Sequence, residues 1–129
     1  DLANEQFFET STRLMFHLIV EAIAQIGNED PVGQVSASYI VDGKIQLSIK
    51  DGPCAHITAE HHKLTAVQAD CEDSLSLMEF ADMKLARALF DGKVNAVACV
   101  GTGQVRLEGM ISQLDNVNRI LDRVALYLA

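Results

Sequence analysis

The sequence predicts a two-layer α+β domain, and three observations predict it. Apolar residues recur at helical spacing towards both ends of the chain, whereas the stretch between them alternates with period two and is cut by turn residues. Neither an internal repeat nor a linker divides the 129 residues. Helices that each bury one face, beside a sheet with one wet face, pack as two layers around one core.

The first helix is expected over Glu5 to Ile26. Phe8, Met15, Ile19, Ala22, Ile23 and Ile26 fall on one face, and Glu9, Arg13, His17 and Glu21 on the other. Gly27 is the expected stop, and Asn28 to Gly33, with Pro31 inside, the connection. Strands are then expected over Gln34 to Val41 and Lys44 to Lys50, joined by a tight turn at Asp42-Gly43. In the second of these, Ile45, Leu47 and Ile49 alternate with Lys44, Gln46, Ser48 and Lys50. Asp51-Gly52-Pro53 turns the chain into Ala55 to Glu60, and His61-His62-Lys63 turns it into Leu64 to Asp70. Four successive strands make an antiparallel meander with a hydrated outer face.

Glu72 to Phe90 reads as helical, with acids at its start and Lys84 and Arg87 towards its end, as the helix dipole prefers. Its apolar residues run nearly all the way round, which requires burial on two sides or a break into two shorter helices. The segment Gly92 to Gly109 is punctuated by Gly92, Gly103 and Gly109 and ends in a strand in which Val105 and Leu107 share a face. Ser112 with Asp115 resembles a capping box, and Leu114, Val117, Ile120, Leu121, Val124, Ala125 and Leu128 form the apolar face of a last helix.

Composition narrows the function. With 49% hydrophobic residues, 22% charged residues and two prolines, the chain is neither disordered nor of low complexity. Its net charge of -8 and scattered Lys and Arg oppose binding to nucleic acid or to an anionic membrane. Three cysteines, Cys54, Cys71 and Cys99, lack CxxC spacing and are expected as small buried groups in a reducing compartment. With no signal peptide and no apolar run of membrane-spanning length visible, the expected location is cytoplasmic.

No constellation of residues announces catalysis. His56 and Glu60 share the outer face of one strand, and His61 and His62 occupy a turn, but a zinc site needs three or four converging ligands. His17 lies opposite the apolar face of the first helix and is expected in solvent. Gly101-Thr102-Gly103 is followed by a strand and not by the helix that a phosphate loop opens. Cys99 stands among apolar neighbours, unlike an activated cysteine, and Asp70, Glu72 and Asp73 sit where capping explains acids. No metal, cofactor or catalytic group is therefore expected. What remains is an excess of apolar helical surface, which can enclose a hydrophobic ligand or cover a partner.

The segment Gly92-Lys93-Val94-Asn95, seven residues, then Gly103, Val105, Leu107 and Gly109, resembles the characteristic segment of the sterol carrier protein family. The element order from about Gln34 to Leu128 is similar as well. The resemblance implies a five-stranded, largely antiparallel sheet covered on one face by helices, with an apolar cavity between the layers for a fatty acid, fatty acyl-CoA or sterol-like lipid. It implies a lining from Met15, Ile19 and Ile23, then Leu85, Leu89 and Val97, then Val105 and Leu107, and finally Leu121, Val124 and Leu128. It carries no catalytic motif. The peroxisomal members end in a tripeptide such as Ser-Lys-Leu and are basic, whereas this chain ends Tyr127-Leu128-Ala129 and is acidic. Peroxisomal targeting and stable membrane association are accordingly not expected. Noncatalytic lipid binding is the first expectation, and a homodimer or partner enzyme docked on the same apolar surface is the alternative.

Overall fold

The period-two stretch Lys44 to Ile49 forms the centre of a five-stranded sheet in the computed structural model, which describes residues 1–93, 99 and 102–128, the last by its backbone alone. In chain order the described elements are α1 (Leu2–Glu29), α2 (Pro31–Ser38), β1 (Gly43–Ile49), β2 (Cys54–Glu60) and β3 (Lys63–Val67). They continue with β4 (Ser76–Phe80), α3 (Met83–Phe90), β5 (Val105–Gly109) and α4 (Ile111–Leu128).

The strand order is β3-β2-β1-β4-β5. Every pair is antiparallel except β1 with β4, so the sheet is mixed. Helices cover one face, where Ile45, Leu47, Ile57, Met78 and Phe80 meet Phe16, Val20, Ile23, Val117 and Ile120 in a continuous core. The α+β, two-layer expectation holds, with one parallel pair in place of a simple meander.

That parallel pair follows from where the chain goes after the edge strand β3. Residues 68–75 cross the outer face of the sheet and deliver β4 to the far side of β1. The crossing is pinned to side chains of that face. His56 Nδ1 lies 2.7 Å from the Ala69 carbonyl, and Cys71 N donates to Gln46 Oε1 at 3.2 Å. Lys44 pairs with Asp73 at 3.2 Å. Part of the face expected to be hydrated is thus covered, and His56 and Ser48 are buried beneath it.

Three element assignments differ from the sequence expectation. Gln34 to Val41 is not a strand, because Asp30 accepts from Gly33 N at 2.8 Å and Pro31 sits in the first turn, which together start α2. Gly27 does not stop α1 but lies inside it, where a Cβ would come within 2.5 Å of Leu64 Cδ1, so its small size lets the helix close on β3. Residues 72–80 are not helical. Ser76, Met78 and Phe80 alternate inward as β4, and Asp82 caps the real helix by accepting from Leu85 N at 2.8 Å. A smaller correction concerns α4, which begins at Ile111, so that Ser112 lies inside it and forms no capping box. Its start is held instead by Ser76, whose Oγ accepts from Met110 N at 3.1 Å and donates to Gln113 Oε1 at 2.6 Å.

Candidate functional site

The helix layer and the sheet leave a wholly apolar gap between them. Phe16, Ile19, Val20 and Ile23 of α1 form one wall, Leu47, Met78 and Phe80 of the sheet form another, and Phe90, Val117 and Leu121 close it. Each α1 residue faces it for one reason: positions spaced by three and four lie on the same side of a helix. The gap has a volume of about 10 Å³. No ionisable side chain lines it.

The residues expected to line a cavity are distributed as follows. Ile19, Ile23 and Leu121 lie on the gap. Leu85, Leu89, Val105 and Val124 are buried in the surrounding core, and Met15 packs half-buried against it. Leu107 is a correction. It stands opposite Met78 on the same face of the sheet, but β5 is the edge strand and leaves the residue 38% exposed, outside the set that lines the gap. Val97 and the Leu128 side chain lie outside the described residues. Phe16, Val20, Leu47, Met78, Phe80, Phe90 and Val117 were not expected on the gap. Periodicity could have found Phe16, Val20 and Leu47, whereas Met78 and Phe80 were hidden by reading β4 as helix.

The two ends of the gap are bounded differently. Towards the β3 side, Asn28 Nδ2 donates to Leu64 O and Leu64 N donates to Asn28 Oδ1, both at 2.8 Å, so a side-chain amide stands in for a neighbouring strand at the sheet edge. Close by, Arg123 donates to Asp30 Oδ1 at 2.9 Å and Oδ2 at 3.1 Å, and the Tyr127 hydroxyl donates to the same carboxylate at 2.5 Å. The Arg123 guanidinium, then Tyr127, then the Gly33 amide hold the Asp30 carboxyl well below the usual carboxylate range.

At the other end α3 packs its apolar face, Leu85, Ala86, Leu89 and Phe90, into the core that α1 shares, and Arg87 adds polar bonds to α1. Arg87 Nη1 donates to Ser11 Oγ at 2.9 Å and to Thr12 Oγ1 at 3.4 Å, while Nε donates to Asp91 Oδ2 at 3.3 Å. Its guanidinium carbon lies 5.8 Å from the centre of the Phe8 ring. Thr12 is fully buried. It lies one turn before Phe16 and two before Ile19 on the same face of α1, so this polar cluster borders the gap.

His17 Nδ1 lies 2.5 Å from Gln68 Oε1, and Gln68 Nε2 donates to the His17 carbonyl at 3.0 Å. Burial, then the neighbouring acids Asp70 and Asp73 respectively, push the Cys54 and Cys71 thiols up, which makes them poor nucleophiles. Among the described residues no three His, Cys, Asp or Glu side chains converge to hold a metal ion. No described helix is long and apolar enough to cross a membrane.

No family model and no curated relative matches the chain. Solved structures match it by fold. The sterol carrier protein domain 2 of Helicoverpa armigera superposes with a TM-score of 0.65 at 13% identity, over 88% of each chain. A crystal structure of sterol carrier protein 2 superposes with a TM-score of 0.61 at 19% identity, covering 84% of this chain and 93% of that one. A UbiJ-SCP2 ubiquinone synthesis protein gives 0.60 at 13% identity, over 83% of this chain and 88% of that one. The fold is that of a sterol carrier protein 2 domain, as the glycine-punctuated segment led the sequence to suggest.

Proposed function

We propose that this chain holds a hydrophobic small molecule, such as a fatty acid, a fatty acyl-CoA or a sterol-like lipid, between its helix layer and its sheet, and catalyses no reaction on it. The observation that carries this reading is the wholly apolar gap at the layer interface. The carrier names of the structures that share the fold agree with it. The free thiols suit a reducing compartment such as the cytoplasm.

The size of the gap determines how binding must work. A volume of about 10 Å³ is close to the least that holds one water. A methylene has roughly the bulk of a water, about 30 Å³, so a ten-carbon chain needs on the order of 300 Å³. The helix layer must therefore lift from the sheet as ligand enters. Burial of the chain contributes about 0.8 kcal/mol per methylene, and the contacts broken between the layers offset part of it.

Native mass spectrometry after gentle desalting tests the reading. Copurified lipid, or uptake of an added fluorescent fatty acid, is the expected result; a bare protein that takes up none overturns it. A second reading, docking to another copy or to a partner enzyme, draws on a different surface. Phe7, Leu14 and Leu18 lie on the solvent side of α1 and are 74%, 67% and 57% exposed.

A further inference from the structure

We infer that Arg87, with the hydroxyls of Ser11 and Thr12, is the head-group site of this cavity, and that the ligand class it selects is a long-chain carboxylate; the inference rests on the lipid-holding function proposed above. An apolar gap alone cannot distinguish an acid from an alcohol or a hydrocarbon of the same length, because burial of the chain is non-directional. Discrimination requires a polar group near the gap, and the Arg87 cluster supplies one through Thr12, one turn before Phe16 on the same face of α1.

The chemistry of the cluster fits an oxyanion. A guanidinium offers a planar fork of donors that matches a carboxylate. Thr12, fully buried, accepts from Arg87 at 3.4 Å, and its hydroxyl can turn its proton to an incoming oxyanion. Ser11 accepts from Arg87 at 2.9 Å and donates to Phe8 O at 3.1 Å. One carboxylate already lies against the guanidinium, that of Asp91 at 3.3 Å. Asp91 occupies the place of a head group and competes with one.

Geometry connects head to tail. Phe90, on the gap, follows Arg87 by three residues on α3, and Phe16 and Ile19 follow Thr12 by four and seven on α1. A carboxylate between Arg87 and Thr12 therefore places the first methylenes between these aromatic and aliphatic walls. In a chain of net charge -8, an anionic ligand needs such a local cation to offset long-range repulsion.

Titration calorimetry with decanoic acid and decanol tests this on the whole chain. The unaltered protein is expected to prefer the acid by about tenfold, the size of one charge-assisted hydrogen bond. In Arg87→Met the preference falls to about one through a loss on the acid side, and Arg87→Lys, which keeps the charge but not the fork, retains part of it. Asp91→Asn, which removes the competitor, strengthens the preference, and a purely structural ion pair does not produce that sign. Equal binding of acid and alcohol by the unaltered protein, or an acid preference untouched in both Arg87→Met and Asp91→Asn, overturns the head-group assignment while the lipid-holding function stands. Binding of neither ligand overturns both.

Discussion

The two ends of the first helix are held in different ways. Its C-terminal half is locked to the sheet edge and the last helix by Gly27 against Leu64, by the paired Asn28 bonds, and by Asp30 clasped between Arg123 and Tyr127. Towards its N-terminal half it meets a helix of eight residues through the shared apolar core and through the hydrogen bonds of one side chain, Arg87. The first kind of end resists separation because several partners must be lost together, with buried backbone groups left unpaired. The second opens by exchanging one set of hydrogen bonds and by giving up the apolar contacts of a short helix, which an apolar ligand can replace. Under the proposed ligand-holding function, a core that admits a ligand larger than its own gap needs one of each, a fixed edge and an edge that yields.

This contrast can be broken at the fixed end first. Gly33→Ala should have the largest effect, because a Cβ there would approach the Ile26 carbonyl oxygen to 2.2 Å and backbone must move. We expect a loss of about 3 kcal/mol in denaturant unfolding. Asn28→Ala leaves the buried Leu64 N–H and C=O unpaired and should cost about 2 kcal/mol, with faster hydrogen exchange in β3.

Acid should weaken the same end. The pKa of Asp30 is lower folded than unfolded, so its contribution is complete above the ordinary carboxylate value of about 4 and is lost as pH falls towards the folded value. Stability curves against pH should fall on the acid side for the unaltered protein and be flatter there for Asp30→Asn. The smallest effect belongs to Leu107→Trp. The residue is half-exposed on the edge strand, so ligand uptake should be unchanged and stability should shift by less than about 0.5 kcal/mol.

Much of the fixed part of the molecule was legible in the sequence. The stripe Ile19, Ile23 and Ile26, the alternation of Ile45, Leu47 and Ile49, and the apolar face of the last helix each show one clean period, and each forms the expected element. Where two periods compete, the sequence misleads. Leu77, Met78, Phe80 and Ala81 satisfy both a helix and a strand, and only the pairing of β4 with β1 on one side and β5 on the other decides for the strand. Asp30-Pro31 reads equally as a turn and as a helix start, and the Arg123 and Tyr127 partners that complete it come from the far end of the chain. The polar cluster at the yielding end was illegible for the same reason. Arg87 meets Ser11 and Thr12 across 76 and 75 positions, and no local pattern marks that meeting.

On the proposed function, ligand enters between helix layer and sheet at the α3 end while the Asn28 end stays closed. Amide chemical shifts followed by NMR during titration with decanoic acid test it most directly. Shifts are expected in Met83–Phe90 and from Thr12 to Ile19, with the amides of Asn28 and Leu64 still. Shifts confined to Asn28 and Leu64, or to the covered outer face around His56, with α3 unmoved, would contradict it.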